Sequence, residues 1–157
     1  MIGNDPNAPF NDAVAAGDGN AVLGNRIFAN AGQAIDLGPN DGPTPNNSAG
    51  HIGPNDFLNF PAITGAFSLD GLTLIAGSVS EFTPVANRQI RIEFFSTSDT
   101  QARVFLGAIV VTVDFRSTAS FAEIFSVTST AGDKLTATAT DLTTMNTSEL
   151  APLVTIL

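Results

Sequence analysis

Oxygen-bearing side chains that could bind a metal ion are concentrated in one Gly- and Pro-rich stretch of the sequence, residues 36–56. Ca²⁺ takes roughly six to eight oxygen ligands from carboxylates, side-chain amides and carbonyls. The spacing here matches no EF-hand loop, and Asx residues in such stretches more often bond to their own backbone in turns. We therefore predict turn formation as the main role and keep a calcium site as the alternative, with these candidate ligands: Asp36, Asn40, Asp41, Asn55 and Asp56.

The chain has a single histidine, His51, in the segment SAGHIGPND. As a general base, His51 would need a nucleophile and an orienting carboxylate in the right geometry, and nothing nearby resembles a nucleophile elbow. Paired carboxylates for glycoside hydrolysis must face each other across a substrate groove. We predict that the chain is not an enzyme, has no catalytic residues and needs no cofactor apart from the possible calcium.

The charge balance argues against nucleic acid as a partner. The chain carries 15 acidic residues against six basic ones, for a net charge of -9, whereas nucleic-acid binding relies on basic side chains that displace counterions from phosphate. No run of about 18 apolar residues is present, so we expect no membrane insertion. Twelve Phe with no Cys, Trp or Tyr indicate an apolar core without disulfides, and the missing Trp and Tyr count against a carbohydrate-binding platform.

Composition divides the chain near Pro61 into an Asn-, Gly- and Pro-rich segment, 1–60, and a β-branched and Phe-rich domain, 61–157. Short strands separated by turn residues at regular spacing are typical of a β-sandwich. The sequence therefore predicts an all-β fold whose second part is an Ig-like antiparallel β-sandwich. Its predicted strands are 63–68, 72–80, 88–96, 103–114, 118–127, 133–141 and 150–157.

Alternating patterns predict which side chains fill the core. Apolar residues alternate with polar ones in segments 90–94 and 135–140, and each pattern indicates one buried and one solvated face. The predicted core residues are Ile90, Ile92, Phe94, Leu106 and Leu135. Segment 103–115 is apolar on both faces, so residues 1–60 or a neighbouring subunit should cover its second face. The apolar run 152–157 should either close the sheet or pair with another molecule.

The segment Gly19–Gly38, GNAVLGNRIFANAGQAIDLG, has short apolar pairs separated by Asn and Gly. One rung of a parallel β-helix needs this arrangement, with inward aliphatic side chains and Asn or Gly at the corners. An irregular Asn-rich loop would have the same composition, and the pattern alone does not choose between them.

The order of several motifs resembles the C-terminal end of secreted bacterial and archaeal parallel β-helix repeat proteins. These motifs are GNRIFANAGQAIDLG, DGPTPNN, GPNDFLNFP, FFSTS and TATATDLTTMNTSEL. In that family a last rung of the form GN-I-N-G-GIDLG leads through a GPN-LQNFP linker into an Ig-like domain that ends in TATATD-GNTSEF. The resemblance implies a short β-solenoid-like segment before the sandwich and an extracellular or cell-surface location. This chain has fewer carboxylates in the loop, which weakens a calcium site.

These observations predict a non-enzymatic extracellular structural module. It would be a subunit or terminal cap of a surface fibre or adhesin that self-associates through β-strand edges, with Ile2–Val14 reaching across to a neighbouring copy. The alternative is a carbohydrate- or protein-binding module of a larger secreted protein, with a surface polysaccharide or protein as partner and calcium as an optional stabilising ion. Two Asn-x-Ser sequons, at Asn46 and Asn146, are interpreted as polar surface rather than glycosylation sites.

Overall fold

The protein forms two antiparallel β-sheets that face each other as a β-sandwich. The computed structural model describes residues 17–30, 32–38, 42–48, 52–81, 86–99, 101–114, 117–127 and 129–157. A 3-10 turn, Pro54–Phe57, precedes the strands. The strands are β1 (Ala62–Leu69), β2 (Leu72–Glu81), β3 (Arg88–Thr97), β4 (Val104–Val113), β5 (Ser117–Phe125), β6 (Lys134–Asp141) and β7 (Val154–Thr155). The prediction of an all-β sandwich is confirmed.

One sheet has the strand order β1-β2-β5 and the other has the order β4-β3-β6-β7. Six of the predicted strands agree with the structure to within a few residues. The last one is much shorter than the predicted 150–157, because only Val154 and Thr155 pair with β6 as a strand.

The main core lies between the two sheets. All five predicted core residues belong to it and are buried, which confirms the inward register of β3. The Phe94 ring lies 5.6 Å from Phe121 and 5.4 Å from Phe125, measured between ring centroids. Gly77 on β2 permits close packing here, since a Cβ at this position would lie 2.7 Å from the Phe121 ring and 2.5 Å from the Ala62 carbonyl oxygen.

A second apolar cluster covers the outer face of the four-stranded sheet. The N-terminal segment, defined as residues 17–38, contributes Val22, Ile27, Ala34, Ile35 and Leu37, and the sandwich contributes Phe95, Ala102 and Leu150. Within its described residues this segment contains no strand, and one antiparallel bridge joins Ile27 to Ala102. The segment therefore packs as an irregular layer on the sheet.

This layer corrects two predictions about solvated faces. Glu93, on the face of β3 predicted to be wet, is fully buried, and so are the threonines of β6: Thr136, Thr138 and Thr140. The alternation predicts the inward, apolar face of each strand correctly, but it does not reveal that the polar face is covered as well. Thr136 Oγ1 donates to the Ala151 carbonyl at 2.7 Å, and Thr140 Oγ1 shares a hydrogen bond with Thr147 Oγ1 at 2.9 Å. Thr138 Oγ1 is buried without a partner among the described residues.

The C-terminal residues join the two sheets along one side of the sandwich. Val154 and Thr155 pair with β6, while the Ser68 N–H donates to the Leu157 carbonyl at 2.9 Å and the Leu157 N–H donates to the Ala66 carbonyl at 3.0 Å. Of the two roles predicted for the apolar run 152–157, the structure shows closure of the sandwich. We call this side the closed side.

The opposite side brings together the edge strands β4 and β5. A Cβ on Gly107 would lie 2.4 Å from the Phe125 ring, so glycine is required where these strands approach each other. The outer face of β4 stays open within the described part of the chain, because the Val110 side chain is 51% exposed and Phe105 is 39% exposed. The cover expected from residues 1–60 does not reach these side chains in the described ranges. We call this side the open side.

Candidate functional site

Asn55, one of the predicted metal ligands, lies at the junction between the N-terminal segment and the sandwich. Its side chain is fully buried. Asn55 Oδ1 accepts the Asn20 N–H at 3.0 Å, and Asn55 Nδ2 donates to the carbonyls of Asn20 at 3.0 Å and Thr147 at 2.9 Å. The amide therefore ties backbone from two distant parts of the chain together.

Asp56 continues this junction through a second buried amide. Asp56 Oδ2 accepts a hydrogen bond from Asn146 Nδ2 at 2.9 Å, and Asn146 Oδ1 accepts the Gly19 N–H at 2.6 Å. Asn146 is only 1% exposed, so its sequon is inaccessible to a glycosylating enzyme in the folded chain. The other sequon residue, Asn46, is exposed and binds the Phe60 backbone through both its amide oxygen and its amide nitrogen.

The turn that presents Asn55 and Asp56 is left-handed. Asn55, Asp56 and Phe57 have φ values of 47°, 53° and 42°, a region that costs free energy for residues with a Cβ, least for Asn and Asp. Gly53 allows the turn to close, because a Cβ there would lie 2.0 Å from the Phe57 ring. The buried hydrogen bonds of Asn55 offset this strain and hold the turn in place.

Asp36 forms a local turn, as predicted. It is buried, and its Oδ1 accepts the Gly38 N–H at 2.9 Å, which is the geometry of an Asx turn. Asn40, Asp41 and His51 lie outside the described residues. Within the described ranges, no group of three or more His, Cys, Asp or Glu side chains could hold a metal ion. The calcium site stays a prediction.

Two buried glutamates fix the N-terminal segment to the sheet beneath it. Glu149 Oε1 accepts the Leu37 N–H at 2.8 Å, and the same carboxylate binds both the N–H and the hydroxyl of Thr44. On β3, Glu93 Oε2 accepts the Gly24 N–H at 2.8 Å while Oε1 accepts Arg91 Nε at 2.8 Å. Charge-assisted bonds of this kind are stronger than neutral ones, so these carboxylates act as backbone anchors.

A third buried acid, Glu81, lies at the end of β2. Burial raises the pKa of Glu81 to about 8; the positive charge of Arg88 opposes this shift, and the negative charge of Asp56 adds to it. Arg88 itself forms a buried ion pair with Asp141 at the end of β6. Glu81 is therefore largely protonated at neutral pH, because a buried carboxyl whose nearest cation is already paired favours its uncharged form.

The outer face of the three-stranded sheet carries an exposed apolar patch. Phe67, Leu74 and Ile124 lie directly opposite one another on β1, β2 and β5, and the Leu69–Leu72 pair forms the next row. Phe67 is 51% exposed and Ile124 is 62% exposed. A contiguous apolar patch of this kind marks a surface that can bind a partner.

Sequence reasoning missed the anchoring side chains Glu93, Asn146 and Glu149. Each binds backbone far away along the chain, since Asn146 and Gly19 are 127 residues apart and Glu149 and Leu37 are 112 apart. No local pattern reports such pairings. The available signal was the presence of carboxylates and amides in segments that otherwise read as buried strands or tight turns.

Comparison with protein families and with curated proteins gives no assignment for this chain. Searches against protein-family models and among curated proteins return no match. No helix in the described part of the chain has the length and apolar character needed to span a membrane. What the chain does is therefore inferred from the arrangement of its own residues.

Proposed function

We propose that this chain is a non-enzymatic structural module of the cell surface or extracellular space, acting as a subunit or terminal cap of a fibre or adhesin. One observation carries the proposal: the buried side chains best suited to chemistry bind backbone instead. Asn55, Asn146, Glu93 and Glu149 all hold the N-terminal segment against the sandwich. Such bonds make a rigid joint between two parts of the chain, which a cap needs and a catalytic cleft does not.

In this proposal the N-terminal segment is the last, β-solenoid-like turn of a longer repeat structure and the sandwich is an Ig-like domain that seals it. A solenoid end exposes apolar side chains and unpaired backbone, so it needs a cap. The second apolar cluster supports this role, because Ile27, Ile35 and Leu37 are buried against the four-stranded sheet. The strand order, with three strands facing four, is compatible with the Ig-like group of sandwiches.

The proposed assembly proceeds through β-strand edges. Both β4 and β5 are edge strands on the open side, and unpaired edges bind other strands unless they are blocked. Light scattering across a concentration series of the purified chain, with negative-stain imaging, tests this. We expect concentration-dependent association into paired or fibrous particles. A chain that stays monomeric at high concentration contradicts the assembly.

The non-enzymatic part of the proposal has a separate test. We expect no turnover of a panel of polysaccharides and peptides, and no difference between the wild-type chain and His51→Ala. Hydrolysis that disappears in His51→Ala would show that the histidine acts in catalysis. This outcome contradicts the structural role independently of whether the chain assembles.

The second candidate function is a protein-binding module of a larger secreted protein. The apolar patch at Phe67, Leu74 and Ile124 favours it, because these side chains form one row across the outer face of the three-stranded sheet. A chain that stays monomeric, and whose surface partner is lost in Ile124→Lys but retained in Val110→Lys, supports this candidate over self-assembly.

A further inference from the structure

Within the described part of the chain, one side of β4 is free for pairing. The sheet order places β4 at the edge, with β3 as its neighbour. Among the residues that the structure describes, those of β3 alone share hydrogen bonds with the backbone of residues 104–113. In an antiparallel sheet, alternate residues of an edge strand direct their N–H and C=O groups away from the sheet. The backbone of β4 can therefore accept another strand.

The amino-acid composition of β4 does not block pairing with another strand. The strand reads VFLGAIVVTV, without a charged residue or a proline, whereas natural edge strands are usually blocked by lysine, proline or a covering element. A bulge interrupts the ladder with β3 near Leu106, but the register from Gly107 to Val113 is continuous. This regular half of the strand is the part able to pair without distortion.

Charge indicates that β4 is the place where a second copy can approach. Copies that each carry a net charge of -9 repel each other, so they approach best where no acidic side chain lies. On the outer face of β4, Ala108, Val110 and Thr112 are uncharged. The neighbouring edge strand β5 contains the exposed acid Glu123. An antiparallel two-fold contact sets an uncharged strand against itself, so no like charges meet across it.

The two sides of the sandwich differ in their capacity to pair. On the closed side, Leu157 already binds the backbone of β1 through Ala66 and Ser68. On the open side, the Val110 side chain remains half exposed, and a neighbouring strand with its own side chains would cover it. Addition of a strand to β4 therefore satisfies both the backbone groups and the apolar side chains at once.

We infer that two copies of this chain pair antiparallel along the regular half of β4, residues 107–113, and join their four-stranded sheets into one eight-stranded sheet. This inference rests on the proposed structural function and specifies its interface. It differs from assembly through the N-terminal stretch Ile2–Val14, and the experiments below separate the two.

The first test compares one charge substitution at two exposed aliphatic positions. Val110→Lys places lysines close together across the two-fold contact, where like charges destabilise pairing. Ile124→Lys makes the same change on the outer face of the other sheet. In sedimentation velocity we expect Val110→Lys to raise the dissociation constant about tenfold or more, equivalent to about 1.4 kcal/mol, and Ile124→Lys to leave it unchanged. The reverse result overturns the β4 interface in favour of the apolar patch.

The second test uses a proline at each of two neighbouring positions, Val110→Pro and Val111→Pro. Successive N–H groups of a strand point to opposite sides, so one proline removes a bond to β3 and the other faces the free edge. The variant that keeps the wild-type melting temperature carries its proline at the free edge. We expect that variant to be monomeric, and a folded proline variant that still dimerises overturns the inference.

Deletion of residues 2–14 completes the comparison. We expect the deleted chain to dimerise as the wild-type chain does. Loss of association on deletion, with association retained in the folded proline variant, assigns the interface to the N-terminal stretch and overturns the role of β4. A wild-type chain that never associates overturns the proposed assembly as a whole, so the two failures are distinguishable.

Discussion

At the scale of single residues, the buried polar groups fall into two kinds. Asn55, Glu93 and Glu149 have backbone partners for their side-chain oxygens, so burial costs them little. Glu81 differs, because its Oε1 is buried and has no hydrogen-bond partner among the residues that the structure describes. A carboxyl in this position is more stable protonated, and the folded state therefore takes up a proton that the unfolded state releases.

The raised pKa of Glu81 predicts a pH dependence of stability. Because the folded pKa is about 8 and the usual value is 4.5, the folded chain binds more protons than the unfolded chain between these values. This contribution to stability is complete below about pH 4.5 and is lost as the pH rises to about 8, with a slope of at most about 1.4 kcal/mol per pH unit. Urea denaturation at several pH values measures it.

Glu81→Gln tests whether Glu81 causes this pH dependence, because glutamine resembles the protonated acid at every pH. We expect the stability of this variant to depend less on pH than that of the wild-type chain between pH 5 and about 8. Glu123→Gln, at an exposed position on β5, is the matched control and should retain the wild-type slope. Equal slopes in Glu81→Gln and wild type would assign the pH dependence to another group.

Asn55→Ala should destabilise the fold more than the same substitution at an exposed asparagine. The substitution removes the side-chain bonds to the Asn20 N–H and to the Asn20 and Thr147 carbonyls, and it keeps a left-handed φ. We expect a loss of roughly 3 kcal/mol, because each buried unpaired group costs about 1–3 kcal/mol. Asn46→Ala, at an exposed asparagine with two bonds to Phe60, should cost less than about 1 kcal/mol. Similar losses in both variants would contradict the role of burial.

At the scale of elements, the period-2 pattern of β3 predicts a large effect of Phe94→Ala. Phe94 is fully buried and packs against Phe121 and Phe125, so we expect a loss of about 3–5 kcal/mol in the free energy of unfolding. Phe67→Ala, on the exposed face of β1, should cost less than about 1 kcal/mol. Denaturant titration of both variants checks the register, and a small effect at Phe94 would mean that the inward face is misassigned.

The strands could be predicted from the sequence because alternation is a local property. Ile90, Ile92 and Phe94 report their own face through their neighbours. The covered threonine face of β6 could not be predicted, because its burial depends on residues outside the strand, among them Ala151 and Thr147, which bind Thr136 and Thr140. The junction around Asn55 was missed for the same reason. Its partners Asn20 and Thr147 become neighbours only when both layers have packed.

At the scale of the whole molecule, the melting temperature tests whether calcium binds. Of the three described candidates, Asp36 and Asn55 bind backbone groups through their side-chain oxygens, and Asp56 accepts a hydrogen bond from Asn146. These bonds favour structural roles over ligation. We expect the melting temperature to be the same in millimolar Ca²⁺ and in chelator, because a ligand specific to the folded state must raise it. A clear rise with Ca²⁺ would show a site and direct attention to Asn40 and Asp41.

The anchoring of the N-terminal segment also determines how the module responds to mechanical force. Tension applied at Gly17 is shared between the bond that its carbonyl accepts from the Asn55 N–H and the bonds that Asn146 and Thr147 accept from Gly19 and Val22. When these bonds rupture, the freed chain extends by about 3.3–3.6 Å per residue while both sheets remain intact. In the proposed fibre, this extension would dissipate work before a sandwich unfolds.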